Sequence, residues 1–247
     1  MVLERSGPES APVCGCQSCQ QADAAAITRR SLLSRGMAGG VVAGLANIVP
    51  LRAARAQTKL KPDAALEQLL AGNRRFVAGN LQSFQEDLDI LKQNNVAKQE
   101  PFAALLSCAD SRVPVELAFD QSIGHLFVAR VAGNVCTPEI IASLEYGAAV
   151  LGTAVIVVLG HSGCGAVKAT ITAKPVPGQI SALYAPIRRA VEVAGKDLEA
   201  AIKANAQIQA DLLRTASPVV ADLTAQGRLR VVSAYYDIGS GAVTLLN

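Results

Sequence analysis

The sequence has little charge and few aromatic residues, and it lacks tryptophan altogether. Only 17% of its 247 residues are charged whereas 51% are hydrophobic, which excludes intrinsic disorder for most of the chain. The formal net charge of +3 is too small to favour a strongly cationic nucleic-acid-binding protein. Six cysteines are too few for a disulfide scaffold but enough for a metal site. The length allows one large domain or two small ones, each with a buried core.

The first 56 residues are typical of an export signal. A pair of arginines, Arg29 and Arg30, precedes an apolar, glycine-rich run over residues 36–51 and a small-residue triplet that ends in Ala56. This order of basic region, apolar region and A-x-A site defines a signal peptide. The paired arginines resemble a twin-arginine leader, although Leu32 stands where that pattern usually has phenylalanine.

We therefore expect the twin-arginine export machinery to carry the precursor to the periplasm. Cleavage would follow Ala56 and divide the chain into a leader, residues 1–56, and a mature domain, residues 57–247. The alternative is an uncleaved leader that anchors the protein to the membrane. The apolar run is shorter than the roughly 20 residues that span a bilayer comfortably.

Removal of the leader would leave a neutral domain. Six of the 23 basic and three of the 20 acidic residues lie in residues 1–56, so 17 of each remain. The leader also contains a cluster of three cysteines, which could bind a metal or be redox-active, although we favour an incidental cluster. These are Cys14, Cys16 and Cys19. The mature chain keeps Cys108, Cys136 and Cys164.

The remainder alternates between the patterns of buried strands and amphipathic helices. The predicted strands are residues 102–107, 125–130, 153–159, 229–236 and a terminal edge strand at 242–246. The predicted helices are residues 62–81, 137–150, 165–173, 180–193 and 197–215. Strands that alternate with helices predict one α/β domain with a mostly parallel central sheet and helices on both faces.

Groups that could bind a metal follow directly on two of these strands. Cys108, Asp110 and Arg112 come after the first, and His161 and Cys164 come after the third. The carboxyl ends of parallel strands meet at one edge of a sheet, so we expect these groups to converge. Two thiolates and one imidazole suit Zn²⁺, and three protein ligands leave a fourth position open, as in catalytic zinc sites.

The residues leave several alternatives open at this point. Asp110 could accept a hydrogen bond from a zinc-bound water, or it could become the fourth ligand and close the site. Arg112 could keep Asp110 off the metal by bidentate pairing. A buried cysteine beside a loop ion pair, or a closed zinc site, would fit the same pattern. Gly163 and Gly165 are expected to permit the tight turn between His161 and Cys164.

Five segments of the chain resemble the β-class carbonic anhydrases, and together they span essentially the whole body in order. They are residues 65–79, 108–112, 127–134, 161–167 and 231–238. The resemblance implies one Zn²⁺ per subunit on Cys108, His161 and Cys164, with Asp110 and Arg112 as the catalytic pair beside it.

The resemblance also places Gly133, Asn134 and Gly165 in the wall of the substrate pocket. It implies a homodimer, or a larger even-numbered assembly, whose N-terminal helices pack on the partner subunit. Some members in which the site is closed hold a regulatory bicarbonate with Trp, Arg and Tyr. The absence of tryptophan argues against that pocket here, even though Arg130 and Tyr235 are present.

The activity implied is carbonate dehydratase, the reversible hydration of CO₂ to bicarbonate and a proton by zinc-bound hydroxide. One alternative is a hydrolase that acts on carbonyl sulfide or carbon disulfide at the same zinc site. Another is a non-enzymatic, exported zinc-binding protein, against which the Asp110–Arg112 pair argues because storage needs no such pair. No nucleic-acid partner is expected.

Three further residues have side chains that could serve a catalytic site. His125 could shuttle protons, but a surface histidine at the start of a strand is the favoured interpretation. Cys136 is interpreted as a small core residue. Gln121 could donate a hydrogen bond to the substrate, but its register differs from that of the glutamine that related enzymes use, so it is not assigned to the site.

Overall fold

A computed structural model describes residues 58–83, 93, 96 and 98–246. The leader over residues 1–56, its cleavage after Ala56, and the cluster at residues 14–19 lie outside the described residues. Within the described ranges, no helix has both the length and the hydropathy needed to cross a membrane.

Five strands form one sheet in the order β2-β1-β3-β4-β5. The strands are β1 (Ala103–Ser107), β2 (Leu126–Arg130), β3 (Val155–His161), β4 (Arg230–Tyr236) and β5 (Val243–Leu246). The pairs β1–β2, β1–β3 and β3–β4 are parallel, and β5 is an antiparallel edge strand on β4. The predicted mostly parallel α/β sheet with a terminal edge strand is therefore confirmed.

Helices connect these strands. They are α1 (Pro62–Val77), α2 (Val115–Ala118), α3 (Pro138–Glu145), α4 (Gly165–Thr172), α5 (Tyr184–Ala194), α6 (Leu198–Ala216) and α7 (Pro218–Ala225). A π-helical turn (Tyr146–Val150) extends α3, and a 3₁₀ turn (Ile180–Leu183) precedes α5. The Thr137 hydroxyl accepts a hydrogen bond from the amide of Ile140, as its position before Pro138 predicted.

Three details of the sequence prediction were wrong. The first helix ends at Val77 rather than at residue 81, because Gly79 takes a left-handed conformation with φ of +69°. Helix α7 was missed, although Ser217 caps it through the amide of Val220 and proline occupies its first turn. The short helix α2 was also missed, since four residues give too little pattern to detect.

Strands β1 and β3 are buried on both sides, which explains their continuous apolar sequences. In β3, Val155, Val157 and Leu159 face α1 and α2. Ile156 and Val158 point to the other side of the sheet and face α3, α6 and α7. Helix α1 packs Leu66 and Leu69 into the core of its own chain. The packing of N-terminal helices on a partner subunit stays a prediction.

Candidate metal centre

The site lies where the loops after β1 and β3 meet. These strands are adjacent and parallel, and Ser107 pairs with Leu159, so Cys108 and His161 leave the sheet at the same edge. The donor atoms of Cys108, His161 and Cys164 all lie within 4.8 Å of one another, and all three residues are buried. The expected convergence of the two loops, which 53 residues of sequence separate, is confirmed.

One ring nitrogen of His161 is free to bind a metal. The ring is fully buried, and Nδ1 lies 3.0 Å from the carbonyl oxygen of Ser162. A carbonyl can only accept, so the proton is assigned to Nδ1 and the lone pair to Nε2. Nε2 has no hydrogen-bond partner among the described residues. A buried nitrogen without a partner is costly, and a metal ion at this position would satisfy it.

The two ligand thiols affect each other's ionisation. The pKa of Cys108 is lowered, chiefly by its interaction with Cys164, against the opposing effect of burial, and further by His161 and the amide of Gly133. The pKa of Cys164 is raised by its contact with Cys108 and by burial. Two thiolates this close repel each other unless a cation lies between them, so a divalent metal would stabilise both.

The donor set fits zinc. Two cysteine sulfurs and one histidine nitrogen match the soft and borderline ligands that Zn²⁺ prefers, and the unpartnered Nε2 of His161 belongs to the same group. Three donors leave a fourth coordination position, which is the arrangement of catalytic rather than structural zinc.

Asp110 lies beside this group and is held by Arg112. Arg112 donates from Nε to Oδ1 at 2.9 Å and from Nη2 to Oδ2 at 2.8 Å, and its backbone amide also donates to Oδ1 at 3.0 Å. These bonds keep the pKa of Asp110 well below its ordinary value. Oδ2 of Asp110 lies 3.9 Å from Nε2 of His161, so the carboxylate faces the metal position.

Two further residues support the site, and the sequence analysis did not assign them to it. Arg130, at the end of β2, donates to the carbonyl oxygens of Cys108 at 2.9 Å and Asp110 at 2.6 Å. Ser162 orients His161 through its carbonyl, and its hydroxyl accepts from the amide of Ile238 at 2.9 Å. Both lie in segments that carry the resemblance, but their partners are backbone groups, which a sequence motif does not reveal.

The residues predicted for the pocket wall lie in different places. The Gly133 amide donates to Sγ of Cys108 at 3.3 Å, and Asn134 beside it is 1% exposed with φ of +44°. Gly165 is the first residue of α4 and does not share the left-handed conformation of Gly163, whose φ is +67°. The expectation that Gly165 permits the turn is therefore wrong, and Gly163 alone supplies the left-handed residue there.

The three remaining candidates lie away from the metal donors or have other partners. His125 directly precedes β2, and its ring stacks edge-on against Phe102. Cys136 is buried among apolar side chains, and burial raises the pKa of its thiol to about 12, as expected for a core cysteine. The side-chain amide of Gln121 donates from Nε2 to the carbonyl oxygen of Phe119 at 2.8 Å.

The fold and the donor set define an α/β protein with a catalytic-type metal centre at the carboxyl edge of a parallel sheet. The sequence profile described as carbonic anhydrase matches residues 103–243. Carbonic anhydrase 2 of Mycobacterium tuberculosis is 46% identical over 112 residues, which cover 45% of this chain and 54% of that protein. The chain spans about half the length of the first such relatives.

A carbonic anhydrase of Pseudomonas aeruginosa is 38% identical over 167 residues, 61% of this chain and 75% of that protein. The structure of a Coccomyxa β-carbonic anhydrase in complex with acetazolamide is similar with a TM-score of 0.59 and 27% identity, over 73% of this chain and 86% of that one. The chain belongs to the carbonic anhydrase family, in its β class. Enzymes of this class use zinc, and the Cys108, His161 and Cys164 group fits that metal.

Proposed function

We propose that this protein catalyses the reversible hydration of CO₂ to bicarbonate and a proton. The observation that carries the proposal is the position of Asp110. Arg112 holds this carboxylate in its ionised form 3.9 Å from the free nitrogen of His161, beside the three metal donors. A structural zinc site has no need of an oriented carboxylate next to an open coordination position.

Each residue of the centre has a role in this proposal. Cys108, His161 and Cys164 would hold Zn²⁺, which when bound lowers the pKa of a coordinated water to about 7 and so supplies hydroxide near neutral pH. An ionised carboxylate only accepts hydrogen bonds, so Asp110 would accept one from the attacking oxygen and direct its lone pair at CO₂. Arg112 maintains that ionised form and keeps Asp110 from becoming a fourth ligand.

The pocket assignment is part of the same proposal. Gly133, Asn134 and Gly165 would line the space where CO₂ meets the nucleophile. Gly133 contacts the ligand Cys108 directly, and Gly165 follows the ligand Cys164 in sequence. A Cβ at Gly165 would meet no atom within 4 Å, so the space beside it is open. The open space beside Gly165 leaves room for a small, linear substrate.

We also propose that the active form is a homodimer or a larger even-numbered assembly. Strand β2 lies at the edge of the described sheet, and Phe127 on it packs against Tyr146 with ring centroids 6.2 Å apart. Tyr146 and Val150, four residues apart, are about half exposed. An exposed apolar group beside a sheet edge favours association. Sedimentation of the mature chain tests this, and a monomer at micromolar concentration would contradict it.

For the precursor we propose export by the twin-arginine machinery, cleavage after Ala56 and a periplasmic location of the domain over residues 57–247. The support is the order of arginine pair, apolar run and A-x-A site. Export after folding would let zinc bind Cys108 and Cys164 before they meet an oxidising compartment. The test is N-terminal sequencing of the periplasmic protein, with Arg29→Lys/Arg30→Lys as the matched variant. Retention of the wild type in the cytoplasm would contradict the proposal.

A stopped-flow assay of CO₂ hydration on the zinc-loaded mature chain tests the activity. We expect a zinc-dependent rate above pH 8 that a chelator abolishes and added zinc restores. Carbonyl sulfide and carbon disulfide serve as parallel substrates in the same experiment. No hydration of CO₂ in a zinc-loaded protein would refute the proposal, and hydrolysis of either sulfur substrate alone would reassign the reaction.

A further inference from the structure

Helix α6 buries two amide side chains on a face that is otherwise apolar. Asn205 is 0% and Gln209 1% exposed, and their buried neighbours on the helix are Ala201, Ile202, Ala206, Ala210 and Leu213. Burial of an amide is unfavourable unless its polar atoms find hydrogen-bond partners. The partners of Asn205 and Gln209 therefore indicate what these residues do.

Both side chains bind the loop that follows β2. Asn205 donates from Nδ2 to the carbonyl oxygen of Gly133 at 2.9 Å, and Oε1 of Gln209 accepts from the amide of Cys136 at 2.8 Å. Residues four apart lie on the same face of a helix, and Nε2 of Gln209 donates to Oδ1 of Asn205 at 3.3 Å. Nε2 also donates to the carbonyl of Pro186 at 3.0 Å. The side chains of Asn205 and Gln209 thus form hydrogen bonds with the first and last residues of the loop over residues 133–136.

This loop has an unfavourable backbone that needs such support. Gly133 and Asn134 are consecutive residues in the left-handed region, with φ of +77° and +44°. For Asn134 that conformation costs free energy, which surrounding contacts must offset. The loop also has little space to move, since a Cβ added at Gly133 would lie 2.7 Å from Cδ1 of Ile187.

The amide of Gly133 reaches the metal centre from this loop. It donates to Sγ of Cys108 at 3.3 Å. Such a bond withdraws charge from a sulfur ligand, which would make a bound metal more electrophilic. We propose that Asn205 and Gln209 are positioning residues of the metal centre, because they hold the Gly133 amide against the sulfur of Cys108. The inference rests on the zinc site of the proposed function.

Substitutions of similar shape test the inference without opening a large cavity. Asn205→Leu and Gln209→Met remove the hydrogen bonds to the loop and keep most of the volume. The matched control is Asn73→Leu, a second buried asparagine whose hydrogen bonds go to Ala118, Gly241 and Val243 and to neither the loop nor the metal donors. The free energy of unfolding of all three variants is measured alongside the metal readouts.

The first readouts are the zinc dissociation constant and the thiolate-to-metal charge-transfer band of the cobalt-substituted protein. We expect Asn205→Leu and Gln209→Met to weaken zinc binding on the order of 10- to 100-fold and to shift the cobalt band. Asn73→Leu should lose stability but keep the wild-type dissociation constant and spectrum. If the two α6 variants are destabilised like the control but keep both wild-type metal readouts, the inference is overturned.

A second measurement uses the wild-type protein and so does not depend on whether the variants fold. With an NMR-active cadmium isotope in the site, we expect a scalar coupling between the metal and the amide proton of Gly133, transmitted through the bond to Cys108. Absence of that coupling overturns the inference. A wild type with the coupling and the expected variant effects, but without CO₂ hydration, would support the positioning role while refuting the proposed activity.

Discussion

Arg112 binds both carboxylate oxygens of Asp110 in a side-by-side arrangement, with N–O distances of 2.9 and 2.8 Å. Nη2 of Arg112 also reaches the carbonyl oxygen of Gly163 at 3.4 Å, so the same guanidinium joins the loop after β1 to the loop after β3. A lysine could not reproduce this side-by-side pairing, because its three N–H donors sit on one nitrogen and do not form the planar fork of a guanidinium. The relationship ties the orientation of the carboxylate to the geometry of the metal donors.

Asp110→Asn should separate metal binding from activity. We expect the variant to keep zinc, because the three donors are untouched, and to lose activity on the order of 10²- to 10⁴-fold, because an amide presents a different donor and acceptor pattern to the attacking oxygen. Stopped-flow rates and zinc content measured on the same sample check this. The control is Asp63→Asn, because Asp63 is an exposed aspartate whose ion-pair partner is Arg230. Full activity in Asp110→Asn would contradict the assigned role.

Cys108→Ser should abolish tight zinc binding and activity together. A serine hydroxyl has a much higher pKa than a thiol and is a poor ligand for Zn²⁺. Zinc content after dialysis, determined by elemental analysis, is the measurement. The control is Asn73→Leu, because Asn73 is also buried but its hydrogen bonds go to Ala118, Gly241 and Val243 rather than to the donor group. Stoichiometric zinc in Cys108→Ser would show that the donor set is wrong.

Asp120 should make stability depend on pH. Burial opposes its ionisation, but donors from Ser83, Arg75 and Gln82 outweigh that effect and lower its pKa from 3.8 to about 2. Because the folded-state pKa is the lower one, the ionised form stabilises the fold above the unfolded pKa, and this contribution is lost as pH falls through about 2. The difference between the unfolded and folded pKa values of Asp120 corresponds to about 2 kcal/mol in the free energy of unfolding.

The measurement is the free energy of unfolding of wild type and Asp120→Asn as a function of pH. We expect the gap between them to be widest above pH 4 and to narrow at lower pH. Asp63→Asn, whose ion pair is exposed, should differ from wild type by no more than about 1 kcal/mol. A gap for Asp120→Asn that stays constant down to pH 2 would refute the assignment.

Gly72→Ala should destabilise the contact between α1 and the rest of the chain. A Cβ at Gly72 would lie 1.8 Å from the carbonyl oxygen of Phe119, a backbone atom that cannot move without displacing α2. We expect a loss of about 3 kcal/mol or more, measured by urea unfolding. Gly165→Ala is the comparison, because its Cβ would meet no atom within 4 Å. Equal stability of the two variants would contradict the close packing of α1.

The sequence by itself determined the alternation of strands and helices, because hydrophobic period is a local property. It also placed the candidate metal donors, since Cys108 follows directly on the buried strand β1, and His161 ends the buried strand β3 with Cys164 three residues further on. Parallel strands place such groups at one edge of the sheet whatever their separation along the chain. The wrong predictions were local as well: α1 was predicted to continue past Gly79, and Gly165 was expected to permit a turn in which only Gly163, of these two glycines, has a positive φ.

Only the tertiary structure decided how the donors are held. The proton position on His161 depends on the carbonyl of Ser162, and the orientation of the Cys108 loop depends on Arg130. Asn205 reaches Gly133 across 72 residues of sequence. These partners are backbone atoms, which every residue possesses and no residue type identifies. Which of them a side chain meets is fixed by strand register and helix packing, and those are properties of the folded chain as a whole.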